Sequence, residues 1–298
     1  MNILISTNDN YYEAARILLR SLFYHNRDTS IKIYLFHSDL NAKKIGQMRR
    51  FAEKNGGELF EKEIDDNVMK DVPVAMLSKE TYYRLMAPRL LPENLDRILY
   101  LDIDMIVTGN IRKIYEADFG NKLFMAVPDT SVGLEPLKKK LHMKKNSVYI
   151  NAGVLLMNLE KLRQEFDLEE ALEFARKHPD RVPNCDQDVI NGLYNERIGH
   201  LEWDYNYEAR FHSLRDILSY PFQCRRLQKK IKIIHYMGAD KPWKPDYHGK
   251  FLKQYCRYAQ HTAFEGEVRQ NMKSYMFHLA KLAGKMIADD MKGIINLE

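Results

Sequence analysis

The stretch Arg97-Ile98-Leu99-Tyr100-Leu101-Asp102-Ile103-Asp104 decides how the chain is read. Its apolar run is short enough for a buried strand, and two carboxylates follow it abruptly. In extended backbone alternate side chains share a face, so Asp102 and Asp104 point one way while Ile103 points into the core. Two like charges held so close are costly to bury unless a cation neutralises them. A hard divalent ion such as Mg²⁺ or Mn²⁺ meets that need, since it takes oxygen ligands. Ligands of open α/β sheets collect outside the carboxyl ends of strands, where this pair lies. An Asp-x-Asp triplet also occurs in solvated turns and helix caps, but the apolar Ile106-Val107 beyond it argues against a surface turn.

Outward from this segment, strand-like and helical patterns alternate. Residues 2–6, 31–37, 58–63 and 98–101 read as strands, and 12–24, 42–54 and 79–90 as the helices between them. This order predicts a mostly parallel sheet with helices on both faces. Further strands are expected at 123–127, 148–158 and 231–235, and helices at 168–177 and 186–195. A last helix, about 267–288, carries Val268, Met272, Tyr275, Met276, Leu279, Leu282 and Met286 at helical spacing. Its charged residues between Val268 and Ala288 are all basic. Such a helix either lies in a membrane interface or packs its stripe on the protein or a second copy. The one boundary suggested by the sequence falls near 261–266, giving units 1–262 and 263–298.

Composition narrows the function. The 298 residues suffice for a large core, and the net charge of +5 is too mild to imply nucleic acid. The basic excess is local, in 138–145 and 225–232, runs that are usually solvated faces but also suit phosphates or an anionic surface. Three cysteines without metal-ligand spacing argue for a reducing compartment and against a disulfide framework. The opening residues show no secretory signal and no run is long enough to span a bilayer, so a cytoplasmic location, at most peripheral to the inner membrane face, is expected.

Other segments gain meaning beside the acid pair. Asn151-Ala152-Gly153 heads an apolar run, Asp186-Gln187-Asp188 opens a helix, and His235–Trp243 offers an imidazole, a glycine and a lysine within nine residues. A histidine can complete a metal shell, and a lysine with backbone amides at a glycine can hold a phosphate. With Ser6-Thr7-Asn8-Asp9-Asn10-Tyr11, Thr81-Tyr82-Tyr83-Arg84-Leu85 and Trp203-Asp204-Tyr205-Asn206-Tyr207, these segments resemble the retaining glycosyltransferases of family 8, which include bacterial lipooligosaccharide galactosyltransferases and glycogenin. The resemblance runs in consistent order over about residues 1–250.

The resemblance implies a GT-A-type, Rossmann-like mixed sheet with a C-terminal amphipathic helical extension. It also implies transfer of galactose or glucose from a UDP-hexose to a glycan or lipid-linked acceptor with the α configuration retained, and Mn²⁺ (or Mg²⁺) as cofactor. It assigns Asp102, Asp104 and His235 to the metal, and Thr7, Asn10, Tyr11, Arg84, Asp102, Ile103, Asn151, Gly238 and Lys241 to the donor. Asp129, Asp186 and Gln187 fall to the reacting sugar. The family commonly carries an acid where Asn8 stands here. Simpler readings stand beside each role: helix capping by Asn10 or Asp186, a surface arginine at 84, a hydrogen-bonded strand-end histidine at 235, a loop lysine at 241 and a packing corner at Pro242-Trp243. Gln187 is a poor nucleophile, which favours attack from the face that UDP leaves over a covalent intermediate. Residues 132–145 are expected to fold over the donor as a lid. Rival functions are a self-glucosylating primer, a non-catalytic nucleotide-sugar sensor or stress protein, and a metal-dependent nuclease or phosphatase.

Overall fold

The computed structural model describes residues 1–74, 78–131 and 133–295. Strands β1 (Asn2–Thr7), β2 (Lys32–His37), β3 (Glu58–Glu63) and β4 (Arg97–Leu101) pair in parallel, as their alternation with helices requires. β1 and β4 lie inside the sheet and are buried on both faces, which is why they read as unbroken apolar runs. Beyond them come β5 (Met105–Val107), β6 (Phe124–Pro128), β7 (Ile150–Asn158), β8 (Ile198–His200), β9 (Tyr207–Glu208) and β10 (Ile233–His235). Seven strands form one sheet in the order β3-β2-β1-β4-β7-β6-β8, with β7 antiparallel to both neighbours. The mixed, mostly parallel sheet flanked by helices is the expected architecture.

A second sheet, β5-β10-β9, was not visible in the sequence. Only β10 falls within a strand read from the sequence, 231–235; β5 and β9, three and two residues long, are below the length at which periodicity carries information. It nevertheless positions the site, because β10 runs antiparallel to β5 and parallel to β9.

Residues 79–90 form a 3₁₀ helix, Lys79–Met86, and then one α turn, Ala87–Leu90, instead of one continuous helix. Pro88 has no N–H to donate to the preceding turn, so it sits in the first turn of a new one. The helix Leu214–Lys230 was not expected beyond its basic run. Pro221 lies inside it and masks the pattern, while Ser213 caps it by accepting from Asp216 N at 3.1 Å. The stretch 132–145 contains a short helix, Glu135–Lys140; Val132 lies outside the described residues.

The C-terminal helix spans Glu265–Ile295. Its stripe packs on the body: Val268 and Leu279 are buried among Phe251, Leu252 and Tyr255, with Met272, Tyr275, Leu282 and Met286 alongside. Asn271 Nδ2 donates to the carbonyls of Pro242 and Lys244 at 2.9 and 2.8 Å, so this helix braces the loop that follows β10. Among the described residues, no helix is long and apolar enough to cross a membrane.

Candidate active site

Pairing of His235 with Met105 sets the imidazole beside the turn that carries Asp102 and Asp104. One ligand atom from each of Asp102, Asp104 and His235 lies within 4.8 Å of the others. His235 Nε2 is 3.0 Å from Asp104 Oδ1 and 3.7 Å from Asp102 Oδ2. Its Nδ1 is 2.9 Å from Asn206 Oδ1, and Asn206 Nδ2 donates to Asn151 Oδ1 at 2.7 Å. Asn206 therefore turns its oxygen to the ring, so Nδ1 donates and Nε2 faces the carboxylates, the orientation of a metal ligand. Gly153 keeps the space between them open. A β-carbon there would stand 2.5 Å from His235 Cε1 and 2.7 Å from Asp102 Oδ2. Two carboxylates and an imidazole nitrogen around such a cradle fit a divalent cation.

Lys241 is buried against this group rather than being a loop lysine. Its Nζ bonds Asp104 and donates to the Tyr236 carbonyl at 2.7 Å. Burial alone would raise the Asp104 carboxyl, but Lys241 and His235 reverse that and hold it well below the usual carboxylate range. Gly238 adopts φ +80°, the left-handed conformation that glycine takes without steric cost. Trp243 stacks on Phe264 at 5.1 Å, as a packing corner would, and meets the edge of Tyr11 at 6.5 Å.

Arg84 is fully internal and joins two parts of the site, so the surface-arginine reading fails. Its Nη2 pairs with Asp102 Oδ1 at 3.0 Å, its Nε with Asp186 Oδ2 at 2.8 Å, and its Nη1 donates to the Ala152 carbonyl. The guanidinium also lies over the Tyr100 ring at 4.0 Å, and the Tyr100 hydroxyl donates to Asp102 Oδ1 at 2.8 Å. Asp186 is not a helix cap. Cys185, at φ +56°, precedes the helix Asp186–Tyr194, and Asp186 itself is buried in the ion pair. Burial pushes its carboxyl up to about 7 despite the pull of Arg84.

Gln187 is fixed at both ends of its amide. Oε1 accepts from Ala152 N at 3.0 Å, and Nε2 donates to the Tyr149 hydroxyl at 3.0 Å, with Asp129 Oδ2 at 3.5 Å. The Tyr149 hydroxyl in turn donates to Asp188 Oδ1 at 2.5 Å. Burial pushes the Asp188 carboxyl up to about 6, against the hydrogen bonds from Tyr149 and Asn184. Sequence reasoning missed Tyr100, Tyr149, Asp188 and Asn206 as supports. Asp188 and Asn206 lie inside quoted motifs, but Tyr149 has no local signal.

At the other end, Thr7 is buried at the close of β1, Ile103 packs partly on the core, and Asn10 is exposed. The capping role goes to Asn8, not Asn10: Asn8 Oδ1 accepts from Tyr11 N at 3.2 Å and its Nδ2 donates to Glu80 Oε1 at 3.1 Å. The side chain at the position where the family commonly has an acid is thus held on both sides by the protein.

The glycosyl transferase family 8 model matches residues 2–246. This chain belongs to that family. It is 26% identical over 282 residues, 90% of its length, to the glycosyltransferase GlyE of Streptococcus pneumoniae, of which it spans 65%. Of the pneumococcal glycosyltransferase GlyA it spans 32%, at 27% identity over 81% of this chain. With the lipopolysaccharide 1,2-glucosyltransferase of Escherichia coli it shares 26% identity over 82% of its own length and 72% of that enzyme's. The fold matches the crystal structure of the galactosyltransferase LgtC with a TM-score of 0.77, covering 90% of this chain and 100% of LgtC at 24% identity. The family 8 chain thus has the GT-A fold and a site suited to a divalent cation.

Proposed function

We propose that this family 8 chain transfers galactose or glucose from a UDP-hexose to a glycan or lipid-linked acceptor, with retention and with Mn²⁺, or Mg²⁺ in its place. The observation that carries the reading is the convergence of Asp102, Asp104 and His235 beside Arg84, Asp186 and Gln187. When bound by those three ligands, the cation supplies positive charge for a departing diphosphate. Lys241 adds a second positive charge there and Gly238 lets the backbone approach the phosphates. Thr7, Asn10, Tyr11 and Ile103 would border the nucleoside and Asp129 and Asn151 the hexose.

In the favoured mechanism the acceptor oxygen bonds to the anomeric carbon on the face from which UDP leaves. The bond from that carbon to the diphosphate breaks, and the acceptor's proton passes to the leaving diphosphate oxygen. Gln187, anchored through Tyr149 and Ala152, would border the sugar without offering a nucleophile. Asp186, held by Arg84, supports the oxocarbenium-like centre. A UDP-release assay over a panel of UDP-sugars, with Mn²⁺ and with chelator, tests the reading. Release from a hexose donor that disappears with chelator is the expected result, and a hexose-by-hexose mass increase of the protein itself would favour self-glucosylation instead. UDP binding without turnover would favour a sensor, a reading made relevant by the 23% identity to general stress protein A of Bacillus subtilis over 88% of this chain.

We extend the proposal to a division of the chain at 262/263 and to contact of the second part, together with the helix Leu214–Lys230 of the first, with an anionic membrane. The helix Leu214–Lys230 leaves Leu218 and Phe222 exposed, and the packed C-terminal helix leaves Met276 and Phe277 exposed. Arg225, Arg226 and Lys229 on the first and Lys273, Lys281 and Lys285 on the second are exposed as well. Apolar side chains among cations suit an anionic interface. Co-sedimentation with anionic but not zwitterionic vesicles, weakened in Phe222→Ser/Phe277→Ser, is the expected result; a concentration-dependent dimer without vesicle binding would replace the membrane by a second copy.

A further inference from the structure

On the face of the small sheet turned away from the cation cradle lies a cavity of about 170 Å³. Ile234 of β10 borders it, and this residue alternates with His235 along the strand, so it points to the other side. Gln254, Arg257 and Tyr258 form a second wall, their spacing of three and four placing them on one face of the helix Leu252–Ala259. His25, at the end of the helix Tyr12–His25, and Gln228 of the helix Leu214–Lys230 close the sides. The volume is below the roughly 300 Å³ that encloses a drug-sized ligand, so the cavity suits a small group rather than a whole nucleotide.

Its chemistry favours an anion. None of the described lining residues is acidic. Gln254 is only 9% exposed, yet its side-chain amide has no hydrogen-bond partner among the described residues. A nearly enclosed amide without a protein partner is a ready donor to a ligand that enters. Neither Arg257 nor nearby Lys232 makes an ion pair or a side-chain hydrogen bond with a described residue. His25 Nε2 is held by the Tyr258 hydroxyl at 2.8 Å. Burial, then the positive charges of Arg27 and Lys232, push the His25 imidazole below its ordinary range, and no described acid opposes them. The local field is therefore positive. Gln228 and Lys232 belong to the basic run 225–232, whose pattern already suited phosphates.

We propose that this cavity binds a phosphate dianion, free or as a monoester, with Arg257 supplying the charge and the Gln254 amide donating to a phosphate oxygen. The site stands apart from the transfer reaction and needs neither nucleotide nor divalent cation. A free phosphate and a lipid headgroup share this chemistry, and the helix that carries Gln228 also exposes Leu218 and Phe222. Calorimetry of the full chain at about 150 mM salt, where exposed charges are largely screened, tests it. The probes are inorganic phosphate, glycerol 3-phosphate and dihexanoyl phosphatidic acid, with dihexanoyl phosphatidylcholine as the comparison. At least one of the first three binds at a single site. Its dissociation constant rises about tenfold in Arg257→Met and about threefold in Gln254→Leu. It is unchanged in Lys241→Met, which lacks the ammonium of the cation cradle. Arg257 and Gln254 give up no bond to the protein, so the melting temperatures of their variants match the wild type. Phosphatidic acid binding at least about tenfold more tightly than glycerol 3-phosphate assigns the site to a headgroup, and a smaller difference assigns it to a free phosphate; either supports the proposal. The proposal is overturned if none of the three binds, if Arg257→Met binds them as the wild type does, if phosphatidylcholine binds more tightly than any of them, or if Lys241→Met loses the binding.

Discussion

Lys241 Nζ is bonded to the Asp104 carboxylate, so a cation of the protein itself already neutralises one of the acids that would hold a metal. The pair is internal and its charges are weakly screened. On the proposed function, Lys241 and a divalent cation would compete for the Asp104 carboxylate until a diphosphate drew the ammonium away. Lys241→Met is expected to bind Mn²⁺ alone about tenfold more tightly than the wild type, while its affinity for UDP in the presence of Mn²⁺ falls by a similar factor. Electron paramagnetic resonance of free Mn²⁺ and calorimetry of UDP read the two effects separately. Parallel losses of both would show that Lys241 is merely structural.

Arg84 bridges Asp102 and Asp186 from inside the protein. Removing the guanidinium leaves the buried Asp186 carboxyl and the partly exposed Asp102 carboxylate without their shared cation. Arg84→Gln should destabilise the metal-free protein by about 3–5 kcal/mol. Arg84→Lys keeps one charge but not the fork, so it should lose turnover more than stability. Thermal melts and UDP release on the two variants check this; equal behaviour would remove Arg84 from the site's design.

Tyr149 anchors Gln187 from behind and touches no predicted ligand position. Tyr149→Phe removes the hydroxyl that receives the Gln187 amide and that donates to Asp188; with folding checked by thermal melts, kcat should fall about tenfold while donor KM stays nearly unchanged. A rise in donor KM with unchanged kcat would contradict the positioning role.

Asp186 and Asp188 set a pH dependence of stability. Their carboxyls sit at about 7 and about 6 in the folded state, above the ordinary 3.8, because of burial. The folded protein therefore holds these protons more tightly than the unfolded chain does. Their contribution is complete below about pH 4 and is lost as pH rises through 6 and 7. Denaturant unfolding of metal-free protein should show stability falling across this window, and Asp188→Asn should flatten part of the fall. A rise with pH over the same window would contradict the assignment.

The large sheet was legible because its strands carry dense apolar runs and its helices clear stripes: Ile3, Leu4, Ile5, Ile98 and Leu99 are buried as their pattern required. The acid pair stood out because two carboxylates end an apolar run, although Asp-x-Asp also occurs in solvated turns and helix caps, and the matching segments elsewhere in the chain gave it its weight. What joins them to His235 was not, since a three-residue pairing of β10 with β5 spans more than a hundred residues of sequence and leaves no periodic trace. Tyr149 was hidden for the same reason: its hydroxyl meets Gln187 only through the packing of β7's entrance on the helix Asp186–Tyr194. Family resemblance supplied His235 and Lys241, but their bonds to Asp104 are visible only in the folded chain.

The central claim is that Asp102, Asp104 and His235 hold one divalent cation that makes a uridine diphosphate bind. Isothermal calorimetry of UDP against the full chain, with saturating Mn²⁺ and then with chelator, measures it directly. The account predicts an affinity with Mn²⁺ at least about tenfold tighter than with chelator, and loss of that difference in Asp104→Asn. Equal affinities in the two buffers, or a cation effect that survives Asp104→Asn, would contradict it.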